Sequence, residues 1–400
     1  MSILSFCIIV KNEEAALPQC LASVCDIVDE MVVLDTGSTD GTIAIAQSFN
    51  ARVYSFDWCN DFSAARNESL KYVQGDWVLV LDADEVLVPE IIPSLQQAID
   101  SPHHLLINLV RQEVGAAQSP YSMVSRLFRR HCEIHFTRPY HAMIDDSVEA
   151  LLQREPDWQI GYLPDVAILH YGYQASTIAA RDKFTKARTI MEGFLADHPT
   201  DPYVCSKLGA LYIDMGATMQ GLQLLERGLQ SIQNRSQIDA PILYELHYHL
   251  GCVYGEQNPT QAEHHYQAAL QQSILPKLKL GAINNWGNLL KEKGDLIGAK
   301  TLYEQALEID STLAIAHNNL GITLKALGQF GAAIGHYQTA IDLQPNYAEA
   351  HQNLGVVLLK VGSVRESLAA FGQAIALYEK AGSPEGDRLK QGLRDMGFKT

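Results

Sequence analysis

Residues 286–374 repeat themselves every 34 positions, and no other feature of the sequence restricts the fold as tightly. Trp286-Gly287, Leu320-Gly321 and Leu354-Gly355 are spaced by that period, as are Ala299, Ala333 and Ser367. So are Tyr303, Tyr337 and Phe371, and then Ala306, Ala340 and Ala374. A period of this length is diagnostic of stacked helical pairs, each too small to bury its apolar face alone. Fainter copies begin near Pro202 (Leu208-Gly209, Tyr212, Gly221, Leu225, Gly228) and near Tyr244 (Leu250-Gly251, Tyr254, Tyr266). About five repeats are expected over 202–382, with a helical linker at 176–201 before them and a capping helix or tail at 383–400 after them.

This pattern resembles the tetratricopeptide repeat, which needs small residues where the helices of a pair touch and aromatics where pairs stack. The resemblance implies an all-α superhelix. Asn285, Asn319 and Asn353 recur on the first helix of each pair, beside Asn284, Asn318 and Gln352. On a superhelix these amides would line the concave face, where they can pair with the backbone of an extended peptide partner. Asparagine at such a position also serves packing. The groove would equally suit a homo-oligomer interface.

The first half has a different grammar. Apolar segments at 3–10 (ILSFCIIV), 30–35 (EMVVLD), 51–56 (ARVYSF) and 77–82 (WVLVLD) alternate with helical stretches near 13–24, 41–49 and 62–73. Short apolar strands alternating with helices indicate βαβ units and a mostly parallel sheet covered on both faces. Ligands in such sheets bind outside the carboxyl ends of the strands. Asp35 and Asp82 stand at two of those ends. Residues 90–175 are less regular, with strands expected at 107–110, 125–128 and 166–170.

Charge narrows the partners. The chain carries a net charge of −16, and residues 1–175 hold 10 Lys and Arg against 24 Asp and Glu. Nucleic acid needs a basic footprint, so it is excluded as a partner. An anionic substrate in this half would need a cation to mediate. No apolar run is long enough to span a membrane, and the first apolar segment lacks a basic flank and cleavage site, so it reads as a strand and not a signal peptide. The seven cysteines show no CxxC spacing, which favours a reducing cytoplasm over a disulfide framework or zinc site.

Within VLVLDADEVLV (78–88), alternation along an extended segment would put Asp82 and Asp84 on one side, past the sheet edge. Paired carboxylates suit a hard divalent ion such as Mg²⁺ or Mn²⁺. A solvated turn after a strand would look the same. Glu85 falls on the opposite side and reads as solvated.

The stretches CIIVKNEEAALPQCLASV, VVLDTGSTDGT and FSAARNESLKYVQGDWVLVLDADE occur in that order. Together they resemble the family 2 glycosyltransferases of the GT-A fold. The branch is that of lipopolysaccharide-core glucosyltransferases and of repeat-bearing transferases that glycosylate peptides. The resemblance covers residues 1–175. It implies a Rossmann-like α/β nucleotide-diphospho-sugar transferase with a UDP-sugar donor, a divalent cation and inversion at the transferred sugar. Asn12, Glu13, Asp35, Arg66 and Asp82 then match nucleotide contacts, and Asp84, with Asp82, the metal ligands. His170 in AILHYGY would complete the metal shell or contact the diphosphate, although a histidine there also packs. Glu13 would serve equally as a helix first-turn carboxylate and Arg66 as a partner for a nearby carboxylate.

On the acceptor side, RLFRRHCEIHFTRPYHAMIDD places His141 at the family's histidine, but Ala142 stands where relatives carry glutamate. The base that deprotonates the acceptor is therefore sought in Asp145 or Asp146. The expected activity is sugar transfer to an acceptor, with a protein or peptide recruited by the repeats as one candidate. A tetratricopeptide scaffold that binds nucleotide without efficient turnover is the alternative, and Ala142 is the feature that favours it.

Overall fold

The computed structural model describes residues 2–116, 118–172, 177–232 and 240–398, with side chains for all of these but 177–183 and 256. The N-terminal sheet has eight strands: β1 (Leu4–Val10), β2 (Glu30–Asp35), β3 (Arg52–Ser55), β4 (Trp77–Val80), β5 (Glu85–Leu87), β6 (His104–Glu113), β7 (Tyr121–Arg129) and β8 (Gln159–His170). Their order is β3-β2-β1-β4-β7-β6-β8-β5. The β1–β2, β1–β4, β2–β3 and β6–β8 ladders are parallel, while β4–β7, β6–β7 and β5–β8 are antiparallel. The sheet is thus more mixed than the first ninety residues suggest. A short connection returns β6 as β7, which allows only an antiparallel pair. The strands expected in 90–175 fall inside longer ones.

Alternation sends successive side chains to opposite faces, and both faces are covered. Phe6 and Ile8 of β1 and Leu79 of β4 join one core with Leu21 of α1 (Leu17–Val24), Ala46 of α2 (Thr42–Ser48) and Leu95 of α4 (Ile92–Ile99). Cys7, Val78 and Val80 face the other core, with Phe128 of β7 and Val148 and Leu151 of α5 (Asp145–Arg154). Each fully buried Leu, Ile or Phe contributes roughly 1.5–3 kcal/mol. Helix α3 (Phe62–Leu70) is capped by Asp61, whose carboxylate accepts the Ala64 N–H at 3.0 Å.

Beyond the sheet lie α6 (Thr177–Asp197) and then helical pairs: α7 (Pro202–Asp214) with α8 (Thr218–Ser231), α9 (Ala240–Gln257) with α10 (Pro259–Leu270), α11 (Leu280–Glu292) with α12 (Leu296–Ile309), α13 (Ala314–Ala326) with α14 (Phe330–Leu343), and α15 (Ala348–Lys360) with α16 (Val364–Lys380). Helix α17 (Glu385–Asp395) follows. The 34-residue period has a steric cause. Gly287, Gly321 and Gly355 lie against Tyr303, Tyr337 and Phe371, and a Cβ on any of them would sit 2.7 Å from the ring. Those rings are 0%, 0% and 2% exposed.

The chain forms two compact units, Met1–His249 with Ser273–Leu278, and Leu250–Gln272 with Lys279–Thr400. Helices α6, α7, α8 and the first part of α9 therefore belong to the same unit as the sheet. No helix among the described residues is long and apolar enough to cross a membrane.

Candidate active site

The carboxyl ends of β1 and β2 lie side by side, with Val10 in register with Asp35. Asp35 is buried, and its carboxylate accepts the backbone N–H groups of Gly37 at 3.0 Å and Ser38 at 3.1 Å. Asn12 adopts a left-handed backbone (φ 56°), which asparagine tolerates better than most residues. Its Oδ1 accepts the Thr39 N–H at 2.7 Å. The Glu13 N–H donates to Thr42 Oγ1 at 2.8 Å. Asn12, Glu13 and Asp35 thus meet in one pair of interlocked loops at the sheet edge.

Strand β4 stops at Val80, and the chain turns, with the Glu85 N–H donating to the Asp82 carbonyl at 3.0 Å. The turn breaks the alternation, so Asp82 and Asp84 meet different neighbours. Arg66 of α3 pairs with Asp82 Oδ1 at 2.5 Å, and Arg126 of β7 pairs with Oδ2 at 2.9 Å. Arg66 is almost fully buried and its guanidinium also lies over the Phe136 ring. Burial alone would raise the Asp82 carboxyl, but Arg126, Arg66 and Arg111 outweigh it and hold it below the usual carboxylate range.

Glu85, expected in solvent, is instead completely buried. It accepts the Asp82 N–H at 2.8 Å and ion-pairs with Arg111 at 2.8 Å. The reason is that Glu85 opens β5, where it stands opposite His170 of β8.

Asp84 faces His170, with Oδ2 3.3 Å from Nε2. The other ring nitrogen, Nδ1, is bonded to Glu113, which in turn pairs with Arg111 at 2.8 Å. Burial would lower the His170 pKa, but its bonds to Asp84 and Glu113 overcome that and raise it to about 9. A carboxylate and an imidazole converge here, and a divalent cation would take the place of the ring proton between them, with Glu113 fixing the ring from behind. Gly172 keeps the place open, since a Cβ there would lie 2.6 Å from Nε2 and 3.0 Å from Asp84 Oδ2. Asp82 is placed differently, with both oxygens committed to arginines. Among the described residues no group of three or more His, Cys, Asp or Glu side chains could hold an ion unaided. Substrate oxygens or water would supply the remaining ligands.

The loop after β7, where the acceptor-side residues were expected, is closed by a bridge between Thr137 and Met143. His141 at its tip has φ 53°, and its ring meets Tyr140 edge-on at 4.6 Å. His141 itself is exposed. Neighbouring protein, with the charges of Lys207 and Arg111, lowers its pKa, which keeps the imidazole neutral at pH 7. Ala142 packs beside the core of Ile134, Phe136 and Val148, leaving no carboxylate at that position.

The two aspartates that follow differ sharply. Asp146 pairs with Arg138 at 2.6 Å and accepts Thr137 Oγ1 at 2.8 Å. Asp145 accepts the Ser125 hydroxyl at 2.9 Å, and burial raises its carboxyl above the usual range. Arg111, Glu113, Arg126 and Arg138 were not singled out from the sequence. A signal existed for three of them: Arg126 opens RLFR, and Arg111 and Glu113 alternate onto one side of β6.

In the repeats, the asparagine amides bond to one another. Asn319 Nδ2 donates to Asn284 Oδ1 at 2.8 Å, and Asn353 Nδ2 to Asn318 Oδ1 at 3.1 Å. Asn285 Nδ2 lies 3.4 Å from Cys252 Sγ. Asn319 is only 7% exposed, so its amide ties consecutive repeats together instead of facing a partner.

The sequence pattern described as glycosyl transferase family 2 matches residues 5–161, and that described as TPR repeat matches 287–328 and 323–362. A TPR repeat-containing protein of Synechococcus elongatus is 44% identical over 400 residues, spanning 100% of this chain and 98% of its own. The SPbeta prophage-derived glycosyltransferase SunS of Bacillus subtilis is 26% identical over 199 residues. That match spans 49% of this chain and 46% of SunS, about half of each. Among solved structures, the MamA protein is similar at 18% identity with a TM-score of 0.37, covering 46% of this chain and 95% of MamA.

Proposed function

The chain belongs to a family of tetratricopeptide-repeat proteins and carries a family 2 glycosyltransferase domain at its N-terminus, and from that premise we propose that it transfers a sugar from UDP to an acceptor hydroxyl or thiol with inversion. The observation that carries this reading is the convergence of Asp84 and His170, backed by Glu113, at the sheet edge that also holds Asn12, Asp35 and Asp82.

Asn12, Glu13 and Asp35 shape the end that receives the base. Arg66 and Arg126 fix Asp82, which is offered to the ribose. Asp84 and His170 would hold a Mn²⁺ or Mg²⁺ ion, which when bound supplies Lewis-acid stabilisation to the departing diphosphate. Asp145 takes the proton of the acceptor as its oxygen or sulfur bonds to the anomeric carbon. The bond from that carbon to the diphosphate oxygen breaks, and its electron pair leaves with UDP. Burial suits Asp145 to this role because it makes the carboxylate a stronger base than an exposed aspartate. His141, kept neutral, can hydrogen-bond to the acceptor or the transferred sugar. A protein or peptide acceptor recruited by the repeats fits the architecture. We place the protein in the cytoplasm, where its seven free thiols would remain reduced.

Release of UDP from a panel of UDP-sugars, with and without Mn²⁺, tests the reading. Wild type should release UDP from at least one donor, and Asp84→Ala should lose at least a hundredfold. No release from any donor, with nucleotide binding retained, would establish the scaffold reading that the apolar packing of Ala142 favours.

A further inference from the structure

A cavity of about 440 Å³ opens between the end of α3, the start of β4, the end of β7 and the segment that follows β7. That is the size of a small-molecule site. Val78 of β4 and Phe128 of β7, partners across the sheet, form its floor with Leu70 of α3 and Ile134. Val78 stands four residues before Asp82, about 13 Å along an extended chain, so the cavity is separate from the carboxylates of the sheet edge.

The rim carries charge of one sign. Residues 1–175 hold 24 Asp and Glu, and none of them lines the cavity, whereas Lys71 and Arg130 both do. The Lys71 ammonium is matched by Glu68 at 2.6 Å. Arg130 has no such match. Its Nε donates to the Gly75 carbonyl at 2.8 Å, and its terminal nitrogens take no partner among the described residues. His131 and His135 also line the cavity, and Glu133 between them sets both rings. The Glu133 N–H donates to His131 Nδ1 at 3.2 Å, and its carbonyl accepts from His135 Nδ1 at 2.8 Å. In the tautomers that these bonds select, His131 offers a proton at Nε2 and His135 a lone pair. The wall is pinned on both sides. Asn67 bonds the Phe136 carbonyl at 2.9 Å and its N–H at 2.7 Å, and Ser147 Oγ accepts the His135 N–H at 3.2 Å.

We propose that this cavity binds an organic carboxylate with an apolar body, the body lying on Leu70, Val78, Phe128 and Ile134 and the carboxylate against Arg130. The two terminal nitrogens of a guanidinium match the two oxygens of a carboxylate. Charge selects the class: one uncompensated cation meets one negative charge, and a neutral molecule would leave Arg130 unused. The Nε2–H of His131 is a further donor for the same head. An inorganic anion does not fit the description either, since it has nothing to place on the apolar floor. The site is independent of sugar transfer and shares only α3 with the candidate active site, through Arg66 at one end and Leu70 at the other.

The test uses the full chain with dodecanoate and 1-naphthoate, an aliphatic and an aromatic member of the class, kept below micelle-forming concentrations. Cys132 is exposed and lines the cavity, while Cys59 and Cys252 are exposed and do not line it. Alkylation by N-ethylmaleimide, followed thiol by thiol by peptide mass spectrometry, therefore reports the site without any substitution. At least one probe should slow alkylation of Cys132 fivefold or more and leave Cys252 within twofold. Which probe does so tells an aliphatic body from an aromatic one. Dodecanol and inorganic phosphate, each carrying half of the chemistry, should not protect. Arg130→Gln should raise the probe concentration needed for protection at least tenfold, and Arg130→Lys, which keeps the charge, should raise it less. Protection of Cys132 and Cys252 alike, or of neither, overturns the site, and this result stands whether or not the variants fold. Equal protection by dodecanol overturns the carboxylate assignment, and equal protection by phosphate overturns the apolar body. Loss of protection on adding UDP with Mn²⁺ would put the probe in the nucleotide cleft and overturn a separate site.

Discussion

Gly321 packs so closely on Tyr337 that a Cβ placed on it would lie 2.7 Å from the ring, while Gly335, on the helix that carries Tyr337, has nothing within 4 Å. The two glycines should therefore respond oppositely to the same change. At Gly321 an added methyl group must push a fully buried tyrosine, at a cost of about 1–3 kcal/mol. At Gly335 it removes backbone freedom from the unfolded chain and clashes with nothing, a gain of roughly 0.5–1 kcal/mol. Urea unfolding of Gly321→Ala and Gly335→Ala, followed by circular dichroism, should give midpoints on opposite sides of the parent. Equal shifts would mean that the period does not reflect close packing.

That contact also explains why the repeats could be read in advance. Each glycine meets an aromatic residue 16 positions later, and the spacing recurs, as with Gly287 and Tyr303. The cleft offers no such redundancy. Glu85 finds Arg111 across 26 residues and Asp82 finds Arg126 across 44, each once. Strand alternation misplaced Glu85 because it assumes an unbroken strand, and a turn at Asp82 flips everything after it. The motif order located the carboxylates of the cleft, but only the fold shows which are tied to arginines.

Asp145 should reveal itself through pH. Burial raises its carboxyl above the ordinary 3.8, so the folded chain keeps a proton there at a pH where the unfolded chain has lost it. Stability from this group therefore falls as pH rises through the unfolded and then the folded value. Asp145→Asn removes that cost and keeps an acceptor for Ser125. It should melt above the parent at pH 7 while transfer falls about 10²–10⁴-fold, as expected for loss of a general base. The acid limb of kcat/KM in the parent should lie above the ordinary aspartate value. A variant with full activity would take Asp145 out of the mechanism.

Arg138 joins the loop after β7 to the start of α7, and Asp201 allows that link to be dissected. The guanidinium pairs with Asp146 at 2.6 Å and with Asp201 at 2.9 Å, and Arg138 is 8% exposed. Asp201 has a second task as the cap of α7, its Oδ1 accepting the Val204 N–H at 2.8 Å. Asparagine caps a helix about as well as aspartate, so Asp201→Asn removes the charge and spares the cap. It should cost on the order of 2 kcal/mol, less than the roughly 3–5 kcal/mol of a fully broken buried pair, because Asp146 still faces the guanidinium. Asp201→Ala should cost about 1 kcal/mol more, through the lost cap. If asparagine and alanine prove equally destabilising, the cap contributes nothing. If asparagine is neutral, Arg138 does not anchor the loop through Asp201. Thermal and urea unfolding of the two variants side by side decide between these outcomes. In the expected case the loop carrying His141 is held against α7 by a charge and α7 is begun by the same carboxylate, so one side chain serves both elements.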